Sequence, residues 1–472
     1  MKQFLLVLLA VTPLAACAAG GPVRSPDTRV PARFEAPAGA AMPAASLDKW
    51  WALYNDPELQ RLVERALVNA PDAKTAMARL REARAQRNAN RRLAYPTGDL
   101  TGSATDTYSR VIAGDLLNFP GFSNSGTSQS YGLNFNVSWE VDLFGRVREG
   151  NRLIEADYAA TLFNIEGSRA ALAAGVADAL FAARGLAIQL ADARETVRIR
   201  QDLNDVTQKR AQRGLSATSD AQRTAADLAQ AQAQMTGLEA DFQAARRQLL
   251  VLIGDGVQPI ASLPVEASAG TAPTPPETVP GELLQRRPDV REAEARLRAA
   301  LSKHRVDQLA LFPTFTLRPG VGLQRTDQPS FSSTTENWSI GAGLTVPVLS
   351  RGRLKQLAKV SGAQAEEAVI AYEKAVQTAY GEAENDLVEL AADRNRAAIL
   401  AAGEAQARAA YDAARKGYGA GLTDLTTTLQ AQQSWLAVRS ALTSAQVQAL
   451  RRSVQTFKAL GGGWTPSKGG AA

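Results

Sequence analysis

The chain has 472 residues, 6% of them aromatic, with a single cysteine and a formal net charge of +6. One cysteine excludes an intrachain disulfide and a cysteine-built metal site. A charge this small over this length, with no Lys/Arg block interleaved with aromatics, argues against nucleic acid as a partner.

The N-terminus reads "MKQFLLVLLAVTPLAAC". Lys2, an apolar run from Phe4 to Val11 and small residues before Cys17 form a secretory signal too short to span a bilayer. "LAAC", Leu14 to Cys17, is similar to a bacterial lipobox. That similarity implies removal of residues 1–16 and acylation of Cys17 with a diacylglycerol on its thiol and an acyl chain on its amino group, enough lipid for a stable anchor. Ala18 in place of an aspartate implies sorting to the outer membrane. Losing Lys2, the one charged residue of the signal, takes the net charge from +6 to +5.

The rest of the chain divides into a lipidated Pro/Ala/Gly-rich tether (17–46), a first repeat (47–254), a Pro-rich connector (255–281), a second repeat (282–461) and a tail (462–472). "NAPDAKTAMARLREA" from Asn69 matches "RRPDVREAEARLRAA" from Arg286, and "AYP" at Ala94 matches "LFP" at Leu311, both shifted by 217. Gly145, Gly214 and Gly254 match Gly352, Gly421 and Gly461 at a shift of 207. A constant shift across distant landmarks predicts an internal duplication.

Each copy reads helix, strand, loop, strand, very long helix, Gly turn, long helix. In the first copy Tyr131, Leu133, Phe135, Val137, Trp139, Val141 and Leu143 alternate with Gly132, Asn134, Asn136, Ser138, Glu140 and Asp142. A Thr-rich strand near Asp99 to Arg110 precedes it. In the second copy Phe315, Leu317, Val321 and Leu323 oppose Thr314, Thr316, Arg318 and Gln324, while Trp338, Ile340, Ala342 and Leu344 oppose Ser339, Gly341, Gly343 and Thr345. This period of two fits a transmembrane β-barrel or a soluble sheet covered on one face. Four strands cannot close a membrane barrel, whose smallest form has about eight. In lipid the chain must therefore oligomerise: three copies give twelve strands and a wide lumen, two a small filled barrel.

From Gly145 to about Arg213 and from Gly352 to about Gly417 no proline occurs, and each run would extend for about 100 Å as a helix. The return runs are Ser219 to Ile253 and Leu425 to Leu460. Gly214 and Gly421 suit left-handed turns, and "SATSD" and "TDLTTT" offer capping residues for the next helices.

With these features in order, the chain resembles the TolC-type outer-membrane factor family, lipoprotein branch. The residues that carry the resemblance are "LAAC", "WWALYNDPEL", "NAPD", "YP" at Tyr95, "SWEVDLFGRVR", "RRPDVREAEARLRAA", "LFPTFTL", "VPVLSRGRLK", "YGAGLTDLTTTLQAQQ" and "ALGGGW". It implies a mixed α and β membrane protein: a homotrimer with a 12-stranded outer-membrane β-barrel continuing into a 12-helix periplasmic α-barrel, and an equatorial region built from the Trp50 segment, the connector and the C-terminus. It further implies the exit duct of a tripartite efflux system, with a periplasmic adaptor and an inner-membrane pump, proton-driven in this branch, as partners. Asp220, Tyr418, Asp424, Thr427 and Gln430 then fall at the periplasmic gate. Arg213, Gly214, Leu215 and Ser216, with Gly421, Leu422 and Thr423, fall at the adaptor-docking tips. Thr427 and Gln430 stand where many relatives have acidic residues, which implies a more polar constriction. Asp220 and Asp424 also suit a helix N-terminus through its dipole.

No catalytic machinery or cofactor beyond the lipid is expected. His304 is the lone histidine, in a polar stretch that predicts a solvated side chain, and no phosphate-cradling loop or zinc spacing occurs. Carboxylate pairs such as Asp192 with Glu195 and Glu366 with Glu367 sit among Arg and Lys, where surface ion pairs account for them. A periplasmic lipoprotein adaptor would show one hairpin rather than two, and a coiled-coil scaffold would not need an aromatic strand face.

Overall fold

A computed structural model describes residues 23–36, 47–110, 126–277, 279–328 and 331–464. The signal peptide, Cys17 and the tail beyond 464 lie outside the described residues. In chain order the elements are α1 (Pro57–Asn69), α2 (Pro71–Arg92), β1 (Thr97–Ser109), β2 (Gly126–Val141), α3 (Arg146–Gln212), α4 (Thr218–Leu252), α5 (Pro280–Arg286), α6 (Pro288–Leu309), β3 (Thr314–Gln328), β4 (Phe331–Thr345), α7 (Arg351–Gly419) and α8 (Leu425–Ala459). They fall into two compact units, one of residues 82–160 and 293–372 with the first 26, the other of the remainder.

The first unit holds a single antiparallel sheet in the order β1-β2-β3-β4. Each copy's strands pair with each other, and β2 pairs with β3 to join the copies. Among the described residues both outer edges, β1 and β4, are left unpaired, the condition that open sheets in lipid cannot tolerate.

His304 differs from expectation. Its ring is 6% exposed, with Nδ1 3.2 Å from Ser361 Oγ and Nε2 2.8 Å from Gln308 Nε2. Gly362 gives it room, since a Cβ there would sit 3.2 Å from the imidazole. The flanking Lys303 and Arg305 made the stretch read as solvated, whereas α7 supplies the cover for the residue between them.

The second unit has one apolar core. Trp50 lies at its centre, fully buried, stacked on Phe457 with ring centroids 5.7 Å apart and edge-on to Tyr54. Leu59, Leu62 and Val63 of α1, Leu172 to Phe181 of α3, Leu249 and Leu250 of α4, Leu263 and Ala272 of the connector, and Leu450 to Leu460 at the C-terminus complete it. α3 has an apolar stretch long enough to cross a membrane, and that stretch is largely buried because its Ala and Leu residues feed this core. Asp56 caps α1 by accepting from the amides of Glu58 and Leu59 and pairs with the buried Arg184, which also reaches Glu58 at 2.9 Å. Burial alone would raise the Tyr54 phenol and does so, despite its 2.5 Å bond to Ser453.

Residues 27–36 of the tether are fastened rather than free. The amide of Asp27 donates to Glu373 at 2.7 Å, those of Glu35 and Ala36 donate to Glu384, and Phe34 stacks on Tyr380.

The duplication is visible in the helix ends. Leu215 N donates to Arg210 O and Gly214 N to Ala211 O; Leu422 N donates to Gly417 O and Gly421 N to Tyr418 O. The same pair of bonds closes α4 at Gly254 and α8 at Gly461. All four glycines have φ between +72° and +87°, the left-handed cap that this motif requires. The correspondence of Gly145 with Gly352 does not extend to geometry. Gly145 has φ +87° just before α3, whereas Gly352 is the second residue of α7 with no such value.

Candidate functional site: the channel wall and its helix tips

Pairing register assigns every strand residue to a face, since directly opposed residues point the same way. Leu100, Phe135, Val321 and Trp338 form one row; Gly102, Leu133 and Leu323 the next, closed by Glu336 beside the rim; Val141, Phe315 and Leu344 the last. These large side chains have nothing over them: Leu100 is 66% exposed, Trp338 78% and Ile340 70%. From Tyr131 to Val141 the band covers about 34 Å along the strand and roughly 25 Å once strands tilt by about 40°, the height of a barrel's lipid-facing band. It ends at a rim where Tyr131 opposes Arg325, and Arg325 pairs with Asp327 at 3.0 Å.

The opposite face carries Thr101, Asn134, Gly322 and Asn337 in one row and Asp99, Asn136, Gly320 and Ser339 in the next. Arg318 also faces this way, and Glu140 is tied to Arg146 at the foot of α3. One wall is thus mainly apolar and the other polar, as an aqueous barrel requires.

The helix tips come next. Arg213, Gly214 and Leu215 are exposed, and Ser216 is half-buried. Gly421 is exposed as well. Leu215 is 64% and Leu422 86% exposed, so neither makes the apolar contact that usually accompanies this cap. Thr423 lies over Gly417, where a Cβ would come within 2.3 Å of its Oγ1 and displace it.

Asp424 is the N-cap of α8. Its carboxylate accepts from Thr427 N at 2.7 Å and Thr427 Oγ1 at 3.2 Å, and these bonds hold it below the usual aspartate range. The capping role and a place at the gate are compatible, because the residue stays exposed. α4 begins differently: its N-cap is Ala217, with no side-chain bond, and Ser216 Oγ is buried without a partner. The Ser/Thr-rich segment therefore caps the second copy alone, because the chain enters α4 one residue later than Ser216 would need. Asp220 is half-buried in the first turn of α4, and Gln430 is exposed on α8. Tyr418 is brought to the other hairpin: the Arg210 guanidinium sits over its ring, 5.5 Å from the centroid.

Two polar networks escaped the sequence. Near the first tip, Thr207 and Thr224 share a 2.9 Å hydroxyl bond, and Thr224 donates to Asn204 at 3.2 Å, all three buried. Farther along, Asp192 of α3 pairs with Arg439 of α8, Arg439 covers Trp435, Trp435 stacks on Tyr411 at 5.2 Å, and its Nε1 donates to Glu404 at 2.8 Å. Asp192 is thus a half-buried clasp between helices rather than a surface ion pair; burial raises its carboxyl, and Arg439 partly offsets this. Glu195 does form the expected surface pair, with Arg198. Trp435 was the available signal, one of two aromatics in α8 and four residues before an arginine.

Comparison with known proteins gives this geometry its family. The model of the family described as outer membrane efflux protein matches twice, over residues 62–255 and 279–462. The pyoverdine export outer membrane protein OpmQ of Pseudomonas putida is 30% identical over 92% of this chain and 92% of its own length. The probable outer membrane lipoprotein SilC of Salmonella typhimurium is 26% identical over 98% of this chain and 99% of its own. The solved structure of the outer-membrane channel OprN superposes with a TM-score of 0.78 at 29% identity, covering 95% of this chain and 100% of that one. With an open-edged sheet of two contrasting faces, two long helical hairpins and a match that spans both copies, the chain belongs to the outer membrane efflux protein family and is an outer-membrane channel component of an efflux system.

Proposed function

We propose that three copies of this chain form the exit duct of a tripartite efflux pump, passing small molecules from an adaptor and an inner-membrane pump through the outer membrane. The observation that carries this is the four-stranded sheet with an uncovered apolar face and two unpaired edges. In lipid, each unpaired edge group costs several kcal/mol, and pairing β4 of one chain with β1 of the next removes both edges. Exposed apolar residues gather where such a neighbour would sit: Leu93 and Tyr95 before β1, Val348 and Leu349 after β4. Phe312 before β3, the counterpart of Tyr95, already contacts Phe144 after β2 within the chain. The energy comes from the pump, proton-driven as in the lipoprotein branch, and this component catalyses nothing.

The tips take the adaptor. Leu215 and Leu422 present apolar side chains held out by rigid glycine caps, suited to an apolar seat on a helical partner. In cells lacking the native gene, a fluorescent efflux substrate should accumulate; wild-type protein should restore export, and Leu215→Asp/Leu422→Asp should not, at equal outer-membrane abundance. Full export by that variant would refute tip docking, and unchanged accumulation on deletion would refute the efflux role.

The gate lies with Arg210 and Tyr418, beside Asp220, Asp424, Thr427 and Gln430. A cation over an aromatic face contributes about 0.5–1 kcal/mol at an exposed site. Tyr418→Ala should therefore raise the open fraction of single channels in planar bilayers by about two- to fivefold; an unchanged open fraction would remove the pair from the gate.

Cys17 anchors each chain through its diacylglycerol and acyl groups. Cys17→Ser should abolish labelling by radioactive palmitate, and persistent labelling would move the lipid elsewhere.

A further inference from the structure

The apolar band of the sheet ends on Phe315, and there the chain builds a cavity. Phe144, three residues past β2, has its ring centroid 6.4 Å from that of Phe315 and 5.2 Å from that of Phe312. Phe144 and Phe312 line a cavity of about 400 Å³, whose remaining walls include Arg148 and Arg152 from the first turns of α3 and Arg305 and Gln308 from the last turns of α6. Its volume lies within the range of about 300–1,000 Å³ typical of small-ligand sites.

The charges at its mouth are unbalanced. Arg152 is paired with Glu149. The Asp142 carboxylate is committed to the amides of Val147 and Arg148 at the start of α3. Lys303 and Asp307 pair with each other. Among the described residues, the side chains of Arg148 and Arg305 have no ion pair or hydrogen bond, and both are exposed. Two free arginines thus line the same cavity as two aromatic rings that continue the lipid-facing band. At that depth a bilayer passes from acyl chain to headgroup, where aromatic and basic side chains serve as anchors.

We propose that this cavity binds a membrane phospholipid through its phosphate. The phosphodiester sits between Arg148 and Arg305, whose planar forks suit phosphate oxygens, and the glycerol and first acyl carbons lie against Phe144 and Phe312. A site for a free anion would have no use for the two rings, and an apolar crevice would have none for two unpaired cations. Basic pockets at the polar edge of a membrane protein bind headgroups in this manner. The bound lipid would fill the junction at which β2 gives way to α3.

The full-length acylated protein in mild detergent, titrated with dioleoyl phosphatidylglycerol and followed by native mass spectrometry, tests this. Occupancy is read per chain, so the result does not depend on how many chains assemble. The wild type should hold the lipid about tenfold or more tightly than Arg148→Gln/Arg305→Gln, reflecting two lost charge-assisted contacts, with Arg148→Lys/Arg305→Lys intermediate. Dioleoylglycerol should bind weakly to both the wild type and the glutamine variant. If the double variant fails to assemble, Arg305→Gln alone serves for the same comparison. Equal affinity of wild type and glutamine variant, equal binding of dioleoylglycerol and phosphatidylglycerol, or full displacement of the lipid by millimolar inorganic phosphate would each overturn the proposal, the last by showing a free-anion site.

Discussion

Val321→Arg should destabilise the assembled protein by about 2–4 kcal/mol per copy, the cost of arginine near the middle of a bilayer on the lipid face of a barrel. With three copies in one assembly the total is roughly 6–12 kcal/mol, enough to deplete folded protein from the outer membrane. Val321 lies in the row of Leu100, Phe135 and Trp338, midway along the apolar band. Asn337→Arg makes the complementary case. Asn337 pairs with Gly322 on the polar face, where an arginine would meet water, and its cost should stay within about 1 kcal/mol. Urea titration of both variants in lipid vesicles measures the difference. Similar costs at the two sites would mean that the faces are not lipid and water.

The second large effect lies in the helical unit. Trp50→Ala removes a fully buried indole that contacts Phe457, Tyr54 and Trp51 and faces the backbone of Gly462. Deleting an aromatic side chain of this size from a core costs about 3–5 kcal/mol. Trp50→Phe should cost much less than that, because the indole Nε1 is buried without a hydrogen-bond partner and its removal relieves an unmet donor worth about 1–3 kcal/mol. Thermal unfolding followed by circular dichroism at 222 nm would rank the two. Equal losses in both variants would show that ring volume is not what the core needs from Trp50.

What could be read from the residues was whatever obeyed a local period or a local turn rule. The two faces of β2 follow from strict alternation between Tyr131 and Val141, and the reversals between the long helices follow from Gly214 and Gly421, which need no distant partner to impose their conformation. Long-range partners were invisible for the same reason. His304 sits between two cations in sequence, yet α7 buries it, and nothing nearby in the chain encodes Ser361 as its neighbour. Asp192 looked like one of many helix-surface carboxylates until Arg439, far away in sequence, took it up. Ser216 had the chemistry of a cap and lost the position to Ala217, because a one-residue change in where a helix starts is decided by the preceding turn. The pairing of β2 with β3, which joins the two copies into one sheet, was likewise a tertiary choice; alternation marks the faces of strands but not their order.

The central claim is that the unpaired edges of β1 and β4 find each other in neighbouring chains. Native mass spectrometry of the acylated protein extracted in mild detergent tests it most directly. A dominant species at three times the mass of the mature lipidated chain is the predicted result, and a stable, folded monomer under the same conditions would contradict it.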